Sequence, residues 1–413
     1  MQLVEQHVID RADPRYGIID AAAFASKNLY NAANYEIRQA YIFEKRYLHY
    51  NEMDKRMQSH EAYRALPAKV AQQVLRQLDQ CWQGFSAARK AYRHDPSKFL
   101  GKPKLPRYKD KTKGRNILVY TDQAISRKGL KRGLICPSML PIEVKTKQTS
   151  IDQVRIVPRH GYYVVEVIYE RPIQQADVNP ALCVGIDLGI TNLAAIASNK
   201  PGFVPRLVNG RPLKAMNQWY NKCKAQLQKK LGKAGTTKQM EQLTNKRNRR
   251  INHALHTASR QIIDLLIEEG IGTLIIGKND GWKLDVEMGS RNNQNFVQIP
   301  HARFIDMLTY KAELVGIQVI LTEESYTSKA SFLDLDPLPV RNPKLAQRPE
   351  FSGSRVKRGL YRASGKRYLN ADVNGAYNIL RKGKPDAFTA KGIAGLVVHP
   401  VRMVHTNATS KLT

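Results

Sequence analysis

Acid and cysteine are scarce in this chain. Asp+Glu number 35 against 67 for Lys+Arg, a net charge of +32 over 413 residues. The four cysteines, Cys81, Cys136, Cys183 and Cys223, stand far apart with no CxxC pair. That excludes a zinc ribbon built from them and gives no disulfide framework, which fits a reducing, cytoplasmic setting. No apolar run is long enough to span a bilayer, so a membrane is not expected as a partner. The start, Met1-Gln2-Leu3-Val4-Glu5-Gln6, lacks the charged and then apolar pattern of a secretory signal. There is no Gly-rich phosphate loop, which argues against an ATPase. There is no repeat at a fixed period either. What remains is a strongly basic chain long enough for two or three domains, and nucleic acid is the partner its charge points to.

Leu3 to Ile9 reads as a short strand, and residues from about 21 to 100 read as helical. Leu66, Val70, Val74, Leu78, Trp82 and Phe85 recur at helical spacing, which marks one buried face of a long helix. From about 98 to 116 the chain is basic and proline-rich. Lys102, Lys104, Arg107 and Lys109 lie there, punctuated by Phe99 and Tyr108. It suits an extended strap on phosphates with occasional base stacking, or a solvated linker. Between about 117 and 172 apolar residues alternate, with Arg159-His160-Gly161 as a hairpin turn. This predicts an antiparallel β region, a small barrel with the N-terminal strand added. From about 180 a hairpin is followed by helices alternating with strands, an order that suits an RNase H-like α/β domain. Within it 212–269 reads as helical and basic, with Arg247, Arg249 and Arg250 as phosphate candidates.

Three acidic stretches stand out against this background. Asp187 ends an apolar strand and is followed by Gly189, Thr191 and Asn192. A charge there is costly unless solvated or paired with a cation; the plainer alternative is a turn aspartate. Glu323 and Glu324 follow the strand ending at Leu321. Neighbouring residues of a strand point to opposite faces, so one of the two joins a shared site. Asp372 stands at a helix start, where it is either a ligand or an N-cap. Carboxylates converging from separate elements are what metal-assisted phosphodiester cleavage needs, with two Mg²⁺ or Mn²⁺ ions held about 3.5–4 Å apart. His253 and His256 are read as surface or core residues, not ligands.

At these motifs the chain resembles TnpB, the OrfB protein of insertion-sequence transposons and a relative of type V CRISPR effectors. Gly185-Ile186-Asp187-Leu188-Gly189-Ile190-Thr191-Asn192 resembles its first RuvC motif. Ala371-Asp372-Val373-Asn374-Gly375-Ala376-Tyr377-Asn378 resembles the third, and Tyr326-Thr327-Ser328-Lys329 the segment before it. The resemblance implies an α+β multidomain protein. Residues 1–25 and 117–178 would be a wedge-like β domain, and 26–116 a helical recognition lobe with a basic linker. Residues 179–395 would be a RuvC-like nuclease domain with a helical lid at 212–269, and 396–413 a tail. It implies an RNA-guided DNA endonuclease working in the prokaryotic cytoplasm at the nucleoid. The guide would come from the transposon end, and the target would be double-stranded DNA beside a short motif.

Two departures stand out. The usual second acid would fall at Gly277. Some relatives instead carry a glutamate three residues before Thr-Ser, which here is Glu324, so the expected site is Asp187, Glu324 and Asp372. Asp280 and Glu287 are weaker candidates. The family's zinc cysteines are missing from 330–369, so no structural zinc is expected. A nuclease-inactive guided repressor and an accessory or direct role in transposition are the alternatives. Whichever holds, the charge predicts that affinity for nucleic acid falls linearly in log–log plots against salt, with a steep slope. Filter binding between 50 and 300 mM salt checks this, at about those concentrations, and a flat response would contradict the phosphate-binding reading.

Overall fold

The computed structural model describes residues 1–232, 235–278, 298–340, 349–388, 390–393 and 395–403. Asp280 and Glu287 lie outside the described residues. The chain divides into two compact units, Met1–Arg171 and Pro172–Thr413.

In the first unit β1 (Gln2–Asp10) pairs antiparallel with β6 (Tyr162–Glu170) along its whole length, from Gln2↔Glu170 to Asp10↔Tyr162. With β2 (Leu118–Thr121) and β5 (Gln153–Arg159) they form a sheet of order β1-β6-β5-β2. Gly161, at φ +81, closes the β5–β6 hairpin at the predicted turn; a left-handed backbone suits glycine there. A separate ribbon joins β3 (Leu134–Ile135) and β4 (Val144–Lys145). Long helices α1 (Arg15–Phe43) and α4 (Ala68–His94) supply most of the helical core. Between them come α2 (Tyr50–Met57) and α3 (Glu61–Arg64), with α5 (Arg127–Lys131) later. The stripe from Val70 to Trp82 is buried, and Trp82 Nε1 donates to Asn34 Oδ1 at 3.0 Å.

The basic stretch is not a free linker. Asn31 exchanges two hydrogen bonds with the Lys109 backbone, both 2.9 Å. Asn34 donates to the Pro106 carbonyl at 3.1 Å, and Lys27 Nζ to the Lys111 carbonyl at 2.8 Å. Prolines cannot pair through N–H, so α1 side chains satisfy the strap's backbone instead.

The second unit is built on a six-stranded sheet of order β11-β10-β7-β8-β9-β15. β7 (Asn179–Leu188), β10 (Ile271–Gly277) and β11 (Gln318–Thr322) are parallel neighbours. β8 (Asn192–Ser198) and β9 (Arg206–Asn209) run antiparallel, and β15 (Val401–Arg402) joins the edge. Side-chain alternation sorts the two faces. Val184, Ile186, Leu188, Leu274 and Ile276 pack with α7 (Lys238–Glu268) and α8 (His301–Glu313). Cys183 and Ile275 turn the other way, toward α9 (Ala371–Gly383). The segment read as one helical stretch is two helices. Gly232, left-handed at φ +69, ends α6 (Arg211–Leu231) before α7 begins. Lys311 joins α8 to α7, donating 2.7 Å bonds to the His256 carbonyl and Ser259 Oγ; burial pushes its pKa down to about 8. β12 (Ser354–Lys357), β13 (Leu360–Arg362) and β14 (Tyr368–Asn370) form a small antiparallel sheet leading into α9. No described helix is long and apolar enough to cross a membrane.

Trp82 is 2 % exposed and among the largest buried side chains of the first unit. Trp82→Ala is expected to cost that unit about 3–5 kcal/mol. Thermal melts followed by near-ultraviolet circular dichroism check this; an unchanged melt would mean that the α1–α4 core can collapse around the void.

Candidate active site

Period-two alternation decides which face of the sheet carries the acid. Val184, Ile186 and Leu188 of β7 point to α7 and α8, so Cys183, Gly185 and Asp187 point to α9. The parallel register sets Ile186 beside Ile276. Gly277 at the end of β10 therefore shares the face and the strand-end level of Asp187. Parallel α/β sheets place ligands beyond the carboxyl ends of their strands, and both residues stand there. Asp187 pairs with Ala195 within the β7–β8 ladder, so it is a strand residue and not part of the turn.

Helix α9 lies directly on this face. A methyl group at Gly185 would run into the Ala376 carbonyl, and one at Gly375 would stand 2.6 Å from Asp187 Oδ2. Two glycines thus let the helix backbone approach the strand closely enough to bring its first turn to Asp187. The N-cap is Asn370, whose Oδ1 accepts from Asp372 N at 3.0 Å and Val373 N at 3.1 Å. Asp372 is therefore released from capping. Asn192, at the start of β8, donates to its Oδ2 at 2.7 Å.

Glu323 and Glu324 lie just past β11 and separate as expected of neighbours. Glu323 forms an ion pair with Lys382 and accepts from Ser325 N at 2.7 Å. Glu324 turns to the sheet. A side chain at Gly277 would meet it, with a Cβ only 2.7 Å from Glu324 Cγ. Position 277 has no side chain, and Glu324 fills the space a side chain there would take. Motif asparagines hold this turn in place. Asn378 Nδ2 donates to the carbonyls of Thr327 at 2.9 Å and Ala330 at 2.8 Å, and Asn374 Nδ2 donates to Ala330 at 2.8 Å.

The three carboxylates share one field. Burial, then the charges of Glu324 and Asp372, hold the Asp187 pKa well above its ordinary value, opposed by Arg355. Although Asp187 as a residue keeps some exposure, its carboxyl is enclosed. Burial lifts Glu324 to about 7. Arg355 on β12 faces Asp372 Oδ1 at 3.2 Å, and Arg358 in the following turn bonds Thr191 Oγ1. These arginines were not singled out from sequence, because their basic surroundings hid them.

Carboxylates tie the β12–β14 region together. Asp336 accepts from Ser331 N at 2.7 Å and from Ser352 Oγ at 2.6 Å. Asp334 accepts from Ser364 N at 3.0 Å and pairs with Arg367.

Comparison with known proteins finds likeness over parts of the chain. Residues 162–283 match the OrfB_IS605 family model, described as a probable transposase. Residues 301–379 match the Cas12f1-like TNB domain. Over these two stretches the chain is similar to OrfB and Cas12f1-like proteins. Its solved likenesses include a Cas12f1–sgRNA–target DNA complex, at 15% identity over 92% of this chain and 99% of that one, with a TM-score of 0.37. They also include the mini-RNA-guided endonuclease CRISPR-Cas_phi3, at 7% identity over 97% and 94%, with a TM-score of 0.45. No curated protein matches in sequence.

The donor set suits a hard divalent cation: carboxylate oxygens, those of Asp187 and Glu324 buried and that of Asp372 partly exposed. Among the described residues no three acidic, histidine or cysteine groups are gathered tightly enough to hold an ion, and Arg355 balances Asp372. Of the phosphate candidates, Lys102, Lys104, Arg107, Arg249 and Arg250 are exposed. Lys109 is half-buried over the Tyr30 ring. Arg247 turns inward, donating to Asn217 Oδ1 at 2.9 Å and the Gln298 carbonyl at 3.0 Å. Helix packing redirects it from solvent.

Folding lifts the Glu324 pKa from 4.5 to about 7, so stability falls as pH rises through that window. Glu324→Gln cannot ionise. In chelator it is expected to raise the melting temperature at pH 7.5 by a few degrees, and by much less at about pH 4.5. Equal shifts at both pH values would show that Glu324 titrates as a solvated carboxyl.

Proposed function

We propose that the chain is an RNA-guided DNA endonuclease. Its second unit is read as a RuvC-like, RNase H-like nuclease domain, and its first as a wedge-like β domain carrying a helical lobe. The observation that carries this reading is the exchange between positions 277 and 324. The acid expected at the end of β10 is missing, and a carboxylate from just beyond the neighbouring strand fills the same space. The alternative, a guided repressor that binds without cutting, rests on the missing acid at position 277; the Glu324 side chain in that space favours the nuclease reading.

Asp187, Glu324 and Asp372 would hold the metal ions. The chemistry that a pair of divalent cations supplies there is activation of water and neutralisation of the leaving oxygen. Asn192 orients Asp372 through its 2.7 Å bond. Arg355 offsets the carboxylate charge in their absence and can turn to an incoming phosphodiester, which guanidinium recognises well. Raised pKa values favour protonated carboxyls before loading, so metal binding is expected to release protons. Exposed Lys102, Lys104, Arg107, Arg249 and Arg250 would track backbones, while base pairing with a guide RNA reads the target beside its adjacent motif.

Asp187→Asn, Glu324→Gln and Asp372→Asn are each expected to lower guide-dependent plasmid cleavage in Mg²⁺ by roughly a hundredfold or more. Guide RNA binding should stay within about twofold, because only metal-binding charge is lost. Glu323→Gln should still cut. Gly277→Asp combined with Glu324→Ala should recover part of what Glu324→Ala loses, by returning a carboxylate to the same space. Wild-type protein that binds its target but never cuts would overturn the nuclease reading in favour of the repressor.

A further inference from the structure

Outside the acidic site, among the described residues, the second unit carries an exposed tryptophan on a cationic helix. Trp219 of α6 is 51% exposed. It opens a groove of ≈ 840 Å³ between α6 and α7, lined with Cys223, Leu227 and Leu243 and rimmed by Lys229 and Lys230. Trp219, Cys223, Gln226 and Lys230 follow at three- or four-residue steps, so they form one continuous helix face. Caps fix the facing ends of the two helices, and one bond joins them. Gly232 caps α6 in a left-handed conformation, Thr237 Oγ1 caps α7 by accepting from Met240 N at 3.2 Å, and Tyr220 bonds Thr244 at 3.1 Å between the helices. A tryptophan half out in water costs free energy unless something covers it.

We infer that this groove is a docking site for single-stranded DNA, with a base stacked on Trp219 and the flanking phosphates on Lys229 and Lys230. Charge selects a polyanion. Helix α6 carries Arg211, Lys214, Lys222, Lys224, Lys229 and Lys230 and no acidic residue. A second copy of the same arm would meet it with like charge, which disfavours self-association through this face. A stacked duplex offers no free base face along its length, whereas a single strand offers one at every base. Apart from Gln226, Gln239 and the two lysines, the lining is apolar. A strand without 2′-hydroxyls therefore loses less solvation on entry than RNA does. The site lies in the helical hairpin and not among the carboxylates, so it would hold a strand and not cleave it.

The inference rests on the nucleic-acid reading above, and its test separates the two. The probes are a 20-nucleotide oligodeoxythymidine, the matching oligouridine and a blunt duplex of equal length. They are titrated onto the full-length chain, freed of co-purified nucleic acid, with tryptophan emission as the signal. The difference between wild type and Trp219→Phe isolates Trp219 from the other tryptophans. Oligodeoxythymidine is expected to quench that difference signal. Trp219→Ala should weaken its binding about tenfold, and Trp219→Phe by less than about threefold, because phenylalanine still stacks. Duplex affinity should not change in either variant. Lys229→Gln with Lys230→Gln should lower the salt slope for the single strand by about 1–2. Unchanged oligodeoxythymidine affinity in Trp219→Ala overturns the inference and leaves the nuclease reading standing. Tighter binding of oligouridine overturns the assignment to DNA. A wild-type dimer that Trp219→Ala dissociates in sedimentation would make the groove a self-interface. No binding of any probe by wild type at low salt would bring down the nucleic-acid reading as well.

Discussion

Close approach of α9 to the sheet is the constraint on which the acidic site depends. Its glycine-lined contact with β7 leaves no room for a methyl group at Gly185 or Gly375. Without that approach, Asp372 would stand a side chain's width farther from Asp187. Other features follow from it. Asn370 has to take over the cap so that Asp372 is spared, and Asn374 and Asn378 lock the 324–330 turn to the helix. Phe332 stacks on Tyr377 at 4.2 Å and closes the remote side of the same helix.

Bringing three carboxylates into one shielded space opposes stability. Burial lifts both Asp187 and Glu324, the neighbouring carboxylates lift Asp187 further, and the fold tolerates them through a cation on its own β12 ribbon. The apolar sheet and its helices carry the stability, while the site is held at a local cost, an arrangement common to active sites. A carboxylate from the turn after β11, in place of one at the end of β10, keeps the charge in place while its backbone origin changes. Position 277 and position 324 therefore form one unit: a side chain at the first requires a smaller one at the second.

Positive charge has more than one structural use here. Lys109 and Arg247 are drawn into the protein, over Tyr30 and against Asn217, whereas Lys102, Lys104, Arg107 and Arg250 remain in solvent. Lys311 and Lys382 tie helices to neighbouring backbone, and burial lowers both pKa values to about 8. Net charge therefore overstates the surface open to a polyanion.

Sequence by itself determined the elements and the chemistry of their ends. Helical spacing marked the α4 stripe, alternation marked the hairpins, and an acid closing an apolar strand marked Asp187, because periodicity and burial are local properties of the chain. The resemblance to a known family, carried by the motifs, is what proposed Glu324 and Asp372 as partners of Asp187. Tertiary structure alone decided what those residues meet. It put Asn370 at the cap, turned Glu323 to Lys382, laid Arg355 on Asp372 and drew Arg247 inward. It also split 212–269 at Gly232 and pinned the basic strap to α1. Each of these depends on which backbones approach closely and on which buried donors need partners. Those are distances between residues far apart in the chain, and spacing along the chain does not encode them.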